Sequence, residues 1–478
     1  MDKQQFSITR RRFLARAALT LGGASCLSTQ GRLSMMQAAF AASGNYSALP
    51  DHKSLVCVFL FGGNDSFNMF VPYELGQYNK YASVRQGLSL PRTQLLPVTG
   101  NAWSFHPSAP ELRTLYNEGA LGVVANVGSL FAPLTVADYQ ANAVNALIPP
   151  ALFSHSDQTE LWQTNRPTAP GVLREGWGGL TADLLVAANT NRQVPLSFST
   201  NGENLWQVGV STGPYGIRPE QGIPKFEAFN SDSYPYNELS RSAAFRSILL
   251  QPRGNALVQH AATSMSDIIR QADLLRDTLN AAPMLKTKFD ANNQLALQLH
   301  TVARLIAVRQ SLGMKRQLFF VGIGGFDTHS AQLGTQGSLM RDLSSALHSF
   351  YRATQELGVA NSVTTFTTSE FGRTLTTNGD GTDHAWAADS LVLGGAVRGA
   401  TVHGTPIEYS ATPVIPPYSD PLFGPADVGA GRFIPNWSVD QYGATLARWM
   451  GVIEPDLLTI FPNLNRFTTR DLGFMQPG

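Results

Sequence analysis

The chain has 478 residues, of which 43% are hydrophobic and 14% are charged, with a formal net charge of +1 at pH 7. This length allows one large domain or two, and the near-neutral charge excludes bulk electrostatic attraction to nucleic acid or to an anionic membrane surface. Glycine and proline number 43 and 28, which favours long structured loops.

The first 41 residues are typical of a twin-arginine export signal. Residues 9–14 read TRRRFL, which matches a polar residue, two arginines, any residue and Phe-Leu. The apolar stretch at 17–27 is shorter than the roughly 20 residues of a membrane span, and Ala39-Phe40-Ala41 fits a small-x-small cleavage site. We therefore predict a signal peptide over 1–41, transport by the twin-arginine translocase, and a periplasmic or secreted mature domain over 42–478.

Removal of this signal would change both the charge and the cysteine content. Six of the 35 basic residues and one of the 34 acidic residues lie in the first 41 positions, which leaves 29 basic and 33 acidic residues and a net charge of −4. Only one of the two cysteines, Cys57, remains. A disulfide within the mature chain is therefore excluded, and its stability must come from the core. We predict no membrane span in the mature chain.

The hydrophobic patterns predict an alternation of strands and helices. Apolar runs predict buried strands at 54–61, 120–127, 317–323, 362–368 and 390–393. Helical spacing predicts helices at 108–118, with Ser108 as N-cap, and at 255–281, 291–312, 337–357 and 439–451, with shorter ones that begin near 154 and 178. This alternation is typical of an α/β fold. We predict one three-layer domain with a mostly parallel central sheet, to which the polar tracts before Asn204 and after Thr401 add loops or a cap.

Four glycine-containing loops beside these strands carry acidic residues and histidines. Three follow a predicted strand, at 62–66, 324–329 and 369–374, and the fourth, at 381–384, precedes one. The carboxyl ends of parallel strands converge on one crevice, so we expect the potential ligands in these loops to lie close together. They are Asp65, Asp327, His329, Glu370, Asp383 and His384. This mixture of carboxylates and imidazoles suits zinc or manganese.

Several of the chemically interesting residues also have simple structural interpretations. Asp65 fits a turn as well as a metal site, and Glu370 is equally suited to a helix N-terminus. Arg373 suits either a bidentate contact with an anionic substrate or an ion pair with a carboxylate. Ser154 is a candidate nucleophile at a helix start, but it also suits an ordinary N-cap, which we favour. For His155 we favour a surface or capping role.

Taken together, the motifs resemble those of the DUF1501 family of exported proteins. They are FGGND at 61–65, GGFDTH at 324–329, SEFGRT at 369–374 and GTDHA at 381–385, and the resemblance covers nearly the whole mature chain. Members of that family resemble the alkaline phosphatase and sulfatase superfamily. The resemblance therefore implies an alkaline-phosphatase-like sandwich and a metal site.

The resemblance also assigns roles to individual residues. It implies that Asp65 and the pair Asp383-His384 bind metal and that Asp327 and His329 contribute to the site. Two features depart from the superfamily pattern. Asp327 and His329 are separated by one residue where the phosphatase pattern usually has three. The nucleophile has no unambiguous counterpart, since the hydroxyls of Ser154, Ser156 and Ser66 compete for that role.

These observations predict an exported metal-dependent hydrolase of phosphate or sulfate esters, with a small anionic ester as its substrate. The resemblance supports this hypothesis, and so do the charged candidate ligands in the four loops. The absence of a clear nucleophile favours an alternative, a non-catalytic cell-envelope binding or assembly protein on the same fold, because fold does not determine function. A metal-using isomerase or transferase that acts on phosphorylated sugars is a third hypothesis.

Overall fold

A computed structural model describes residues 44–141, 147–166, 175–219, 238–251, 254–414 and 420–476 of the chain. The stretch from Asn45 to Gly478 is a single unit. The export signal predicted over 1–41 lies outside the described residues and stays a prediction. Within the described part of the chain, no helix has both the length and the apolar character that crossing a bilayer requires.

The predicted apolar runs form strands whose side chains are buried. In the described residues the strands are β1 (Lys53–Leu60), β2 (Phe70–Pro72), β3 (Leu96–Pro97), β4 (Trp103–Phe105), β5 (Leu121–Gly128), β6 (Ser197–Ser199), β7 (Tyr215–Gly216), β8 (Arg316–Ile323), β9 (Val363–Thr368), β10 (Ala388–Leu393), β11 (Val402–His403) and β12 (Trp437–Ser438). All eight residues of β5 and seven of eight in β1 are buried. Such burial requires cover on both faces of the sheet.

The main sheet has the order β11-β5-β10-β9-β1-β8-β6-β7, and β12 also pairs with β5. The central strand β1 is parallel to both β8 and β9, and Cys57 lies between Phe320 and Phe366 in this register. Among the described strands of this sheet, β10 alone is antiparallel to its neighbours. The strands β2, β4 and β3 form a separate antiparallel sheet.

The helices form two groups that cover the sheet. They are α1 (Ser66–Met69), α2 (Leu75–Arg85), α3 (Pro110–Asn117), α4 (Val136–Gln140), α5 (His155–Thr164), α6 (Trp177–Leu185), α7 (Glu238–Leu250), α8 (Ala256–Ala281), α9 (Gln294–Ala307), α10 (Gln332–Glu356), α11 (Val439–Trp449) and α12 (Glu454–Ile460). The aromatic rings of Trp177 in α6 and Tyr442 in α11 pack on Phe366 of β9. Helices α3, α9 and α10 pack together and contact β5 and β8. The predicted three-layer α/β architecture with a mostly parallel sheet is confirmed.

Two local predictions need correction. Ser108 is not the N-cap of α3, because that helix begins at Pro110 with Ala109 at the cap position; proline is favoured in the first turn, where its missing N–H is not needed. Helix α10 begins at Gln332, five residues before the predicted start. The first five residues of this helix include the buried polar residues Gln332 and Gln336, so the apolar spacing gives no signal there.

Candidate metal centre

The four loops singled out in the sequence meet at one edge of the main sheet. The loops after β1, β8 and β9 emerge at the carboxyl ends of three adjacent parallel strands. Because β10 is antiparallel to β9, the loop that precedes β10 arrives at the same edge. The approach is close, since a Cβ on Gly62 would lie 2.3 Å from the Asp327 backbone nitrogen, and the φ of Gly62 is +119°. Only glycine fits there without strain.

Three imidazoles surround the carboxylate of Asp327. Its Oδ1 lies 3.0 Å from Nε2 of His329 and 3.1 Å from Nε2 of His384, and its Oδ2 lies 3.5 Å from Nε2 of His155. The Nε2 atoms of His329 and His384 are 3.0 Å apart. All four side chains are partly exposed, so the cluster is open to solvent.

The other ring nitrogen of each imidazole is held by an oxygen. Nδ1 of His155 lies 2.8 Å from Glu370 Oε1, Nδ1 of His329 lies 3.2 Å from Asp383 Oδ1, and Nδ1 of His384 lies 2.8 Å from the carbonyl oxygen of Phe153. A carbonyl or an ionised carboxylate only accepts hydrogen bonds. A proton on Nδ1 of each neutral ring satisfies these three contacts, and in that tautomer each Nε2 presents a lone pair.

With the ring protons on Nδ1, the Nε2 acceptors of His329 and His384 lie together with no donor between them. In this tautomer the lone pairs on the two Nε2 atoms face each other at 3.0 Å, beside the carboxylate of Asp327. Such a set is unfavourable unless a cation or added protons lie among the acceptors. One ligand atom each from His155, Asp327 and His384 lies within 4.8 Å of the other two. Imidazole nitrogens steadied through Nδ1, together with a carboxylate, fit a divalent metal ion.

The electrostatics favour the protonation states that a metal requires. Burial acts to raise the pKa of Asp327, but the hydrogen bond from Arg373 and the positive charge of Arg373 oppose burial, and this pKa lies below its usual range. The pKa of Asp383 is lowered in the same way, by Asn378 and His329 against burial. Burial lowers the pKa of the His384 imidazole. Asp327 and Asp383 are thus ionised and His384 is neutral near pH 7, as metal binding demands.

Glu370 and Arg373 both lie beneath the cluster. Glu370 Oε1 accepts from the Gly62 amide at 2.8 Å as well as contacting His155. Arg373, whose side chain has no exposed surface, donates through Nη1 to Asp327 Oδ1 at 2.8 Å. It also donates to the hydroxyl and the carbonyl of Thr382. In this structure Arg373 contacts a carboxylate of the protein and does not reach solvent.

Asp65 is the predicted ligand that the structure keeps apart. It is 1% exposed and caps helix α1 by accepting from the Phe67 amide at 3.2 Å. Its carboxylate also pairs with Arg85 and accepts from the Gln332 side chain. Both oxygens of Asp65 are therefore engaged, and among the described residues it contacts none of the three imidazoles.

The candidate nucleophile Ser154 stands next to the cluster in sequence, yet its hydroxyl is directed to a neighbouring carboxylate. It lies at the N-cap position of α5 without a capping hydrogen bond from its side chain. Its Oγ donates to Asp157 Oδ2 at 2.5 Å and lies 3.2 Å from Ser156 Oγ. Ser66, the competing candidate, is buried in α1. The described contacts bring neither Ser154 nor Ser66 against the imidazoles.

Sequence reasoning missed two contributors. His155 opens α5 and faces the centre, although we favoured a surface or capping role for it. No predicted strand precedes it, so only the folded chain brings it to the other histidines. Arg432 is the second, with Nε donating to the His384 carbonyl at 3.1 Å and Nη1 to Asp420 Oδ2 at 3.0 Å. Its side chain is 23% exposed, so it is a cation at the rim.

Comparison with known proteins identifies the family. The model of the family described as "Protein of unknown function (DUF1501)" matches residues 52–421. The chain belongs to the DUF1501 family. No curated protein sequence matches this DUF1501 chain.

Three solved structures resemble this DUF1501 protein at a distance. The PsFucS1 sulfatase from Pseudoalteromonas sp. is 10% identical, with a TM-score of 0.34, and the match covers 94% of this chain and 76% of that one. The complex of Ps i-CgsB with k-i-k-neocarrahexaose is 9% identical, with a TM-score of 0.33 and coverages of 88% and 78%. The lipoteichoic acid synthase LtaP from Listeria monocytogenes is 8% identical, with a TM-score of 0.29 and coverages of 74% and 68%. At these scores we transfer neither activity nor site residues.

Proposed function

We propose that this DUF1501 protein is an exported hydrolase that uses a divalent metal ion to cleave phosphate or sulfate esters. The observation that carries the proposal is the convergence of Nε2 of His155, His329 and His384 on the carboxylate of Asp327. Each ring is held at Nδ1 by an oxygen, and with its proton on Nδ1 it would present a lone pair inward. An open cluster of oriented lone pairs is what a catalytic metal site needs.

The residues present favour zinc or manganese over magnesium or calcium, because three of the four proposed ligands are imidazoles. A divalent ion held there would polarise an ester oxygen and activate water for attack. Glu370 and Asp383 would keep the Nδ1 protons of His155 and His329 in place. Asp327 would contribute the anionic ligand, and the hydrogen bond from Arg373 would hold its carboxylate in place.

The charge of the centre supports an anionic substrate. Asp327, Glu370 and Asp383 contribute three negative charges, which Arg373 and a divalent ion would balance. Arg432 then stands beside a neutral centre as a partly exposed cation, and its partner Asp420 is itself exposed. A guanidinium with free N–H groups binds phosphate or sulfate oxygens well. We assign Arg432 to the recognition of the anionic group of the ester.

The route to the cell envelope is part of the proposal. The twin-arginine motif at residues 10–11 would deliver the protein already folded to the periplasm or the exterior. Because the proposed ligands come from two separate loops and the start of helix α5, the site exists only in the folded chain. Metal loading in the cytoplasm, before transport, would then be compatible with export.

Metal analysis of the folded protein purified from the periplasm tests the proposal. We expect about one equivalent of zinc or manganese, and hydrolysis of p-nitrophenyl phosphate or sulfate that stops on chelation and returns with the metal. Asp327→Ala should lose both the metal and the activity. His260→Ala is the matched control, because His260 is an exposed histidine of α8 away from the centre.

Two outcomes would decide against the enzyme. If the purified protein binds no divalent ion at micromolar concentration, the metal site and the hydrolase are both wrong. If it binds metal but turns over neither ester with any divalent ion supplied, the alternative of a non-catalytic cell-envelope binding or assembly protein is favoured.

A further inference from the structure

A buried chain of hydrogen bonds connects the proposed metal centre to the ion pair of Asp65 and Arg85. Arg373 Nε donates to Thr382 Oγ1 at 3.2 Å, and Thr382 Oγ1 donates to Gln332 Oε1 at 2.6 Å. Gln332 Nε2 then donates to Asp65 Oδ2. Arg373, Thr382, Gln332 and Asp65 are each at most 1% exposed. The chain therefore crosses the interior without access to water.

All the bonds of this chain point the same way, from the Arg373 guanidinium to the Asp65 carboxylate. Each hydroxyl or amide that donates onward becomes a better acceptor for the group behind it, so aligned bonds strengthen one another in a low dielectric. The chain begins on a cation and ends on an anion, which favours this direction over its reverse. The Asp65 carboxylate is in turn neutralised by Arg85.

The chain also fixes the orientation of a guanidinium. Thr382 accepts from Arg373 twice, through its hydroxyl at Nε and through its carbonyl at Nη2, the latter at 2.5 Å. Because the guanidinium is planar and rigid, these two contacts determine where Nη1 points. Nη1 donates to Asp327 Oδ1 at 2.8 Å. The Asp327 carboxylate is 43% exposed. The hydrogen bond from Arg373 therefore holds it in place from the buried side of the site.

We propose that Asp65, Gln332 and Thr382 are positioning residues that act through Arg373 to set the Asp327 carboxylate among the three imidazoles. The inference rests on the proposed metal site and deepens it. In this proposal the Asp65 carboxylate is the anionic end of the hydrogen-bond chain and does not bind the ion. Carboxylate ligands are themselves held by hydrogen bonds from neighbouring groups, and loss of such support lowers metal affinity.

Thr382 offers the sharpest test, because one substitution keeps its shape without the hydroxyl and another keeps the hydroxyl without the methyl group. Thr382→Val keeps the volume but removes the acceptor of Arg373 Nε and the donor to Gln332. Thr382→Ser keeps the hydroxyl. We expect Thr382→Val to bind Zn²⁺ about 10- to 100-fold more weakly than wild type and Thr382→Ser to stay within about threefold.

The spectrum of bound Co²⁺ distinguishes a change at the metal site from a general loss of stability. The visible d–d spectrum of the Co²⁺-loaded protein reports the geometry of the ligands, and it should change in Thr382→Val and be restored in Thr382→Ser. In Asp65→Asn the spectrum should shift but keep its coordination number, whereas removal of a true ligand would lower that number. If Thr382→Val does not fold, Gln332→Met breaks the same chain one link further on.

Three results would overturn the inference. Equal Zn²⁺ affinity and equal Co²⁺ spectra in wild type and folded Thr382→Val would show that the chain does not act on the site. Equal losses in Thr382→Val and Thr382→Ser would show that the hydroxyl is irrelevant. If the wild-type protein binds no ion, the proposed metal site is itself wrong. This failure is distinguishable from the other two because it is seen in the wild type without any variant.

Discussion

Two loops with the same local pattern reach the same edge of the sheet and differ in their partners. Gly62-Gly63-Asn64-Asp65 follows β1, and Gly324-Gly325-Phe326-Asp327 follows the adjacent parallel strand β8. Asp65 is 1% exposed and pairs with Arg85, whereas the Asp327 side chain is 43% exposed and faces three imidazoles. The pattern Gly-Gly-x-Asp thus delivers a carboxylate to the edge without deciding its role.

The difference arises from position and from distant partners. Leu60 and Ile323 pair at the ends of β1 and β8, so Asp65 stands five residues beyond this pair and Asp327 four. Asp65 caps α1 directly after it and meets Arg85 at the end of α2. Asp327 remains in an extended loop where histidines from other segments reach it. Chain segments remote in sequence therefore assign one carboxylate to the core and the other to the site.

The largest expected effect is on stability, at the buried member of the comparison. Asp65→Ala leaves the Arg85 guanidinium buried without a counter-charge, and we expect a loss of about 3–5 kcal/mol in the free energy of unfolding, measured by urea denaturation. In the double variant Asp65→Leu with Arg85→Met most of that loss should disappear, because an apolar pair replaces the charges. Equal losses in the single and double variants would show that packing, not charge, holds this corner.

Much of the fold could be predicted from the sequence because its strands are apolar throughout. The runs at 54–61, 120–127 and 317–323 predict β1, β5 and β8 to within about two residues, since strands buried on both faces leave a continuous signal. The small sheet of β2, β3 and β4 was missed, because strands of two or three residues carry no period. The direction of β10 was also missed, because apolar pattern does not encode strand polarity.

The candidate site could be predicted only in part. The loops after two buried strands indicated Asp327, His329 and Glu370, the loop before a third indicated Asp383 and His384, and all of these lie at the cluster. Their separate contacts could not be read from sequence, since these depend on side-chain reach across the folded loops. His155 and the burial of Asp65 depend on α5 and Arg85, which reach the sheet edge through long-range packing. Assignment of ligands within the site stays a prediction until metal is measured.

Asp440 is a second buried carboxylate, and unlike Asp65 it has no ion pair with an arginine among the described residues. Asp440 in α11 is fully buried and accepts from Asn463, and burial raises its pKa from 3.8 to about 7. Between the unfolded pKa of about 3.9 and the folded value the native state binds one extra proton, so stability falls as pH rises.

The Asp440→Asn variant isolates this contribution. Relative to it, wild type should lose about 1.4 kcal/mol of unfolding free energy per pH unit between about pH 5 and 7, measured by denaturation at each pH. Asp277→Asn, at a 73% exposed position, should follow wild type. Parallel pH profiles for wild type and Asp440→Asn would refute a raised pKa.

At the exposed site around Asp327, loss of a carboxylate that orients a metal ligand should weaken metal binding less than loss of a carboxylate that is itself a ligand. Asp383 holds Nδ1 of His329 at 3.2 Å, so Asp383→Ala should weaken Zn²⁺ binding by about 10- to 100-fold. Asp327→Ala should weaken it further, beyond the range in which a stable complex is isolated. Competition with a fluorescent chelator measures both affinities. The reverse order would mean that Asp383 is the ligand and Asp327 its support.

The smallest expected effect concerns the anion that the open centre would accept. Arg432 has Nε and Nη1 engaged by His384 and Asp420, which leaves Nη2 for an anionic oxygen. Arg432→Lys keeps the charge but loses the planar fork, so we expect the metal-loaded protein to bind inorganic phosphate about tenfold more weakly, or about 1.4 kcal/mol. Titration calorimetry at two ionic strengths measures the phosphate affinity, and the difference between the two proteins should shrink with salt because the site is partly exposed.

The matched control is Arg448→Lys. Arg448 is a similarly exposed arginine paired with Glu454, and its variant should bind phosphate as wild type does. If Arg432→Lys also leaves the affinity unchanged, the anion is recognised by the metal alone and specificity lies elsewhere on the rim.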